Sequence, residues 1–259
     1  MKLANQVAII VGGAGSLGQV IASTFSGEGA QVVLVDRASS KLTKVAEALR
    51  DQGVQVSTIV ADITDPTQVQ AMVEQTVRSL GTIDVLVNSA GFIGPTAPLV
   101  EISLDDWQAV LAINLTGPFL CSKSVLKQMM EQRRGSIVSI SGTVAKEGWP
   151  WEVAVCAAKW GLLGLTKTLA SEGGPYNVRA NAVCPGGIPS DLMENVFKER
   201  ATLQGITTDE AKKSYLDRTP LRRFVFPEEV ARAVLFLASS ESSGTTGEAL
   251  NVSGGYVMH

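Results

Sequence analysis

Four glycines fall within Gly12-Gly13-Ala14-Gly15-Ser16-Leu17-Gly18, directly behind the apolar run Val7-Ala8-Ile9-Ile10-Val11. An apolar run, a glycine cluster and an amphipathic segment read as strand, tight turn and helix. Without Cβ atoms, backbone N–H groups and the helix N-terminus can surround a pyrophosphate. The glycines stand at 12, 13, 15 and 18, so the strict Gly-x-Gly-x-x-Gly spacing is not met. Further on, Asp36 closes a second apolar run, Val32-Val33-Leu34-Val35. A carboxylate at that strand end can accept hydrogen bonds from an adenosine ribose and repels a 2′-phosphate, which favours NAD over NADP.

Other polar residues sit in unusual company. Asn88-Ser89-Ala90-Gly91 ends an apolar run in small residues, where backbone can pass close to a ligand and Asn88 can tie neighbouring strand ends; a simple turn is the plainer reading. Asn114 lies among Leu111, Ile113 and Leu115 and needs a partner, whether backbone, a bound water or the cleft. Lys159 lies in an apolar, small-residue stretch with Ala157, Ala158, Leu162 and Leu163. The loop Trp149-Pro150-Trp151-Glu152 is packing or one wall of a substrate pocket. The one histidine, His259, leaves too few neighbours for a histidine-based metal site, so no metal is expected.

The elements that must position these residues follow from the pattern. Strands are expected over 7–11, 32–36, 54–60, 83–87, 135–140, 178–183 and 248–252, alternating with helices. Asp65 caps a helix with Pro66 at its first position. A long helical stretch runs from Ser103 through Asn114 toward Met130. Between Pro189 and Pro220 two short charged helices interrupt the rhythm, over 191–202 and 208–216, and read as a substrate lid.

The chain of 259 residues, 45% hydrophobic, suits one large α/β domain over 1–259. A net charge of -3 argues against nucleic-acid or anionic-membrane partners. No run of about 20 apolar residues and no signal peptide is read, and Cys121, Cys156 and Cys184 suggest buried thiols in a reducing, cytoplasmic setting.

Taken together, Gly12–Gly18, Asp36, Asp62, Asn88-Ser89-Ala90-Gly91, Asn114, Lys159, Pro185-Gly186 and Gly254-Gly255 resemble the classical short-chain dehydrogenase/reductase family over essentially the whole chain. The resemblance implies a Rossmann-like three-layer αβα sandwich with a seven-stranded parallel sheet, NAD as cofactor, a small-molecule substrate, and a homodimer or homotetramer. It implies that Gly12, Ser16, Leu17 and Gly18 hold phosphates, Asp36 the ribose, and Asp62 with Ile63 the adenine. Asn88, Ala90 and Gly91 become the cofactor-supporting turn, and Asn114 the anchor of a proton-relay water. Lys159 becomes the nicotinamide-ribose ligand, and Pro185, Gly186 and Ile188 the nicotinamide shelf. Ser190 stands where the family often has a threonine near the cofactor.

Three departures accompany the resemblance. Ser16 occupies the family's middle glycine slot. The tyrosine expected four residues before the lysine is Val155, and the serine expected thirteen residues before that is Gly142, with Ser141 one residue early and facing another way. Valine cannot exchange a proton and glycine cannot bond a substrate oxygen, so alcohol chemistry by the usual tyrosinate route should be crippled. Substitutes within reach in sequence are Glu152, Ser141, Cys156, Glu147, and Lys159 with an Asn114-held water. Four readings stay open: an oxidoreductase with rearranged residues or a less demanding substrate, such as an imine or activated alkene; a lyase or isomerase using the cofactor structurally; a silent binding or scaffold protein; and a dehydrogenase deliberately inactivated at these positions. Trp149, Trp151, Met193 and Phe197 favour an apolar or ring-bearing substrate if they line the pocket, and Lys198, Arg200, Lys212 and Lys213 could attract an acid. The tail at His259 is expected to fray rather than enter a neighbouring subunit's pocket.

Overall fold

Residues 1–259 are described by a computed structural model. Seven strands form: β1 (Val7–Val11), β2 (Gln31–Asp36), β3 (Val56–Val60), β4 (Val85–Asn88), β5 (Gly135–Ile140), β6 (Val178–Pro185) and β7 (Ala249–Val252). All pair in parallel in the order β3-β2-β1-β4-β5-β6-β7. Nine helices accompany them: α1 (Ser16–Gly27), α2 (Ser39–Asp51), α3 (Pro66–Leu80), α4 (Leu104–Leu111), α5 (Gly117–Gln132), α6 (Val153–Gly173), α7 (Asp191–Gln204), α8 (Thr208–Arg218) and α9 (Pro227–Ala238).

A strand buried on both faces must be apolar throughout, and β1 is. Its alternate residues serve opposite cores. Ala8 and Ile10 pack with Ile21 and Phe25 of α1, Leu42 of α2 and Val234 of α9. Val7, Ile9 and Val11 pack with Met72 of α3, Met129 of α5 and Leu169 of α6. The result is the expected three-layer Rossmann-like sandwich. The chain winds outward from β1 to β3, then returns to place β4 on the other side of β1. Connections leave β1 and β4 in opposite directions there, which opens a crevice at their carboxyl ends.

Local chemistry fixes several ends as expected. Asp65 accepts hydrogen bonds from the Thr67 and Gln68 N–H groups at the start of α3. Ser190 caps α7, and Thr207 with Glu210 forms a capping box on α8.

Three expectations are corrected. The fourth strand begins at Val85, and Ile83 precedes it with its N–H donated to Gln132. The stretch 104–132 is not one regular α-helix; a π-turn spans Ala112–Thr116 between α4 and α5. Pro118 lacks the N–H that would reach the Asn114 carbonyl, so the regular ladder cannot continue across that point. Two helical stretches, Leu104–Gln132 and Val153–Tyr176, are long and apolar enough to cross a membrane by length and composition, although neither is a continuous apolar run. Their apolar character serves the sheet, since 44% and 50% of their most apolar windows are buried against the protein. The tail does not fray: Lys146 Nζ donates to the His259 terminal oxygen at 2.7 Å and Asn251 Nδ2 does so at 3.2 Å.

Candidate active site

The crevice is a cleft of about 560 Å³ at the carboxyl end of the sheet. One end is built from the glycine turn. Gly12 has φ +77°, and a Cβ on it would stand 2.6 Å from the Ala90 nitrogen, so β1 and β4 approach there by backbone alone. A Cβ on Gly18 would collide with the Gly12 carbonyl, which closes α1 tightly onto the turn. Ser16 is the first residue of α1 and is exposed at the cleft wall.

Asp36 ends β2 beside this turn. One carboxylate oxygen accepts the Ala14 N–H and the other the Ala38 N–H, both at 3.2 Å, so the group is fixed in orientation. Arg37 and Lys41 line the same end of the cleft, a pair of cations absent from the sequence reading. Asp62 accepts from the Thr64 hydroxyl at 2.7 Å and the Thr64 N–H at 2.8 Å, and these bonds hold its carboxyl below the usual range. Ile63 lines the cleft next to it.

Asn88 stands behind the wall rather than in it. Its amide donates to Ser122 at 3.2 Å and Ser139 at 3.3 Å, tying β4 to α5 and β5, while Ser89, Ala90 and Gly91 face the cleft. Asn114, on the π-turn, is bound to backbone: it donates to the Val110 carbonyl at 2.9 Å and exchanges both bonds with Phe92. It lines the cleft as well, so two of its sequence alternatives hold together.

Lys159 is buried, and its Nζ donates to the Ile140 carbonyl at 2.8 Å. Burial lowers its pKa from 10.5 to about 8. The unfolded chain therefore binds more protons than the folded one between about pH 8 and 10.5, and stability contributed at this site rises with pH across that window. Relative to a Lys159→Met variant, the wild-type protein should gain about 3 kcal/mol from pH 8 to 10.5, measured by denaturant unfolding.

Val155 and Lys159 share one face of α6 at helical spacing, Glu152 immediately precedes the helix, and all three line the cleft. Glu152 is 5% exposed and pairs with Arg200 of α7, whose guanidinium also lies 4.2 Å from the Trp149 ring centre. Burial pushes the Glu152 carboxyl up, and Arg200 partly offsets the rise. Glu152 is thus no solvated loop acid. Ser141 is buried at the cleft wall, where its hydroxyl donates to the Lys159 carbonyl at 3.3 Å. Glu147 faces away, bonded to Arg218 at 3.0 Å, and Cys156 lies outside the lining.

Of the expected aromatic wall, Trp149 and Met193 line the cleft, whereas Phe197 joins an aromatic stack and Trp151 stands outside. Lys212 and Lys213 pair with Glu194 and Asp217, and so offer little to an acidic substrate. Tyr215 was not legible. Its hydroxyl accepts the Gly187 N–H at 2.6 Å and its ring stacks on Tyr256 at 4.6 Å, which braces the backbone at Pro185, Gly186, Gly187 and Ile188 along the cleft. Only composition pointed to this side of α8, and an isolated tyrosine 28 residues from its partner carries no spacing signal.

A doubly wound parallel sheet, a backbone-to-backbone turn at its switch point and an oriented carboxylate at the next strand end define a dinucleotide-binding α/β protein. The cradle fits such a cofactor, because Gly12, Gly15, Ser16, Leu17 and Gly18 line the cleft at the N-terminus of α1 with the oriented Asp36 carboxylate beside them. The family pattern described as Enoyl-(Acyl carrier protein) reductase matches residues 12–257. The 3-oxoacyl-[acyl-carrier-protein] reductase FabG of Thermotoga maritima is 38% identical over 258 residues, covering 100% of each chain. Among solved structures, NAD+-bound xylitol dehydrogenase superposes with a TM-score of 0.94 at 31% identity, over 97% of this chain and 99% of that one. A variant actinorhodin polyketide ketoreductase with NADPH gives 0.92 at 34% identity, over 97% of each. The chain belongs to the short-chain dehydrogenase/reductase family.

Proposed function

We propose that the protein is an NAD(H)-dependent oxidoreductase with a non-standard catalytic centre, acting on a small or ring-bearing carbonyl, alcohol, imine or activated alkene. One observation carries this: a single cleft runs from the glycine turn and Asp36 to the start of α6, where Val155 stands between the buried Glu152 and the buried Lys159. The bound cofactor supplies hydride chemistry. Gly12, Ser16, Leu17 and Gly18 hold its phosphates, Asp36 its adenosine ribose, and Asp62 with Ile63 its adenine. Ala90 and Gly91, backed by Asn88, leave room for its middle. Lys159 holds the second ribose, and Pro185, Gly186, Ile188 and Ser190 shape the nicotinamide end. Asn114 orients a water, and Glu152 with Ser141 remains near the reacting end.

Opposed charges frame the choice of nucleotide. Arg37 and Lys41 would welcome a 2′-phosphate, and the fixed Asp36 carboxylate repels it. Calorimetry and nicotinamide fluorescence should show NADH binding more tightly than NADPH. Asp36→Ala should shift the NADPH:NADH affinity ratio toward NADPH by at least about tenfold, roughly 1.4 kcal/mol. Failure of both nucleotides to bind would overturn the proposal. Binding without turnover on any carbonyl, imine or alkene would favour the second reading, a silent dinucleotide-binding protein, which the apolar positions Gly142 and Val155 support.

The working form we propose is a homodimer or homotetramer, since Phe119 on α5 and Trp160 on α6 are 43% and 53% exposed. Sedimentation equilibrium checks it.

A further inference from the structure

Glu152 is placed where an acid would ordinarily cap a helix, at the residue before α6, yet its side chain caps nothing. It turns instead toward the cleft and Arg200. Both guanidinium bonds fall on a single oxygen, Oε1. The other, Oε2, accepts no hydrogen bond from the protein and is not sealed from solvent. Val144, Val155, Val196, Met193 and Trp149 line the same cleft as Glu152, together with the polar Ser141, Asn114 and Lys159. A buried carboxylate oxygen left without a donor is a strong acceptor for a charged N–H. At the same end, the two positions that would bond a substrate oxygen are Gly142 and Val155.

Resting on the oxidoreductase reading above, we propose that Glu152 Oε2 is the subsite for a protonated nitrogen, and that the substrate is a cyclic iminium ion or the corresponding secondary amine. Such a substrate accounts for what is missing as well as what is present. A ketone needs a proton at oxygen as the hydride arrives, and neither valine nor glycine can give one. An iminium ion already carries its proton. Its carbon accepts the hydride from the reduced nicotinamide as two-electron donor, and the C=N π pair retires onto nitrogen as a lone pair. A new C–H bond forms, and no proton moves in that step. Glu152 then acts by holding the N–H, with Arg200 as a positioning residue that takes Oε1 and leaves Oε2 to the cleft. The Trp149 ring and the valines accommodate the ring carbons.

Titration calorimetry of the full-length protein with pyrrolidine, as its ammonium ion near pH 7, tests the subsite with and without saturating NADH. The wild-type protein should bind pyrrolidinium at least about tenfold more tightly than cyclopentanone, the neutral ring of the same size. Glu152→Gln should erase that preference while leaving NADH affinity within about twofold, which also shows that the variant folds. Equal binding of the two rings by the wild-type protein, or an unchanged preference in Glu152→Gln, overturns the proposal. The first comparison needs no variant. Loss of NADH binding would instead strike the oxidoreductase reading, while the pyrrolidinium preference is still measured without nucleotide. With both intact, NADH should be consumed with 3,4-dihydroisoquinoline and not with cyclopentanone; the converse overturns the substrate class.

Discussion

Alcohol–carbonyl turnover should rise by about 10²–10⁴-fold when Gly142→Ser and Val155→Tyr are introduced together, the range that a positioned proton donor contributes. The backbone accepts the serine without strain. Gly142 is extended at φ 163°, and a Cβ there would meet Val144 at 3.5 Å and the Pro185 carbonyl at 3.9 Å, both ordinary contacts. The tyrosine would project from position 155 into a cleft of about 560 Å³, one helical turn from the buried Lys159. A neighbouring ammonium lowers a phenol's pKa, so Lys159 would keep the new phenol reactive. NADH-linked reduction of cyclohexanone measures the gain. The single substitutions should recover much less, because the two hydroxyls act on one oxygen and are not additive. If NADH affinity persists and the double variant gains nothing, the nicotinamide does not lie against this face of α6.

Glu152→Ala should destabilise the fold strongly. Glu152 and Arg200 side chains are 4% and 13% exposed, so the deletion strands a guanidinium in a largely dry site. Removing one partner of a buried pair costs about 3–5 kcal/mol, which for a chain of this size lowers Tm by roughly 6–20 °C. The loss should also loosen α7, since the same guanidinium packs on Trp149. Replacing both partners, Glu152→Met with Arg200→Met, should cost less than Glu152→Ala alone, because no charge is left unpaired. Thermal unfolding followed by circular dichroism distinguishes these cases. If the double replacement is the worse of the two, the pair's direct bonding outweighs the desolvation of a stranded charge.

Much of this was written in local pattern. The strand at Val7–Val11 could be read because a strand covered on both faces must be apolar throughout, and the helix at Pro66 because Asp65 and proline form a start signal within three residues. The glycine turn, Asp36 and the two short helices after Pro189 were legible for the same reason, and so were the positions of Gly142 and Val155, which are counted from Lys159 along one chain segment. The π-turn at Ala112–Thr116 was not, since helical spacing changes by only one residue there. Sequence by itself thus determined the order of strands and helices, the glycine turn behind β1 and the carboxylate at the end of β2, because each depends on neighbours along the chain. Tertiary structure alone decided that Glu152 is buried on Arg200, 48 residues away, and that Tyr215 braces Gly187. Those pairings form when the helices beyond β6 pack over the cleft, and burial, which turns a surface acid into a directed one, exists only after that packing.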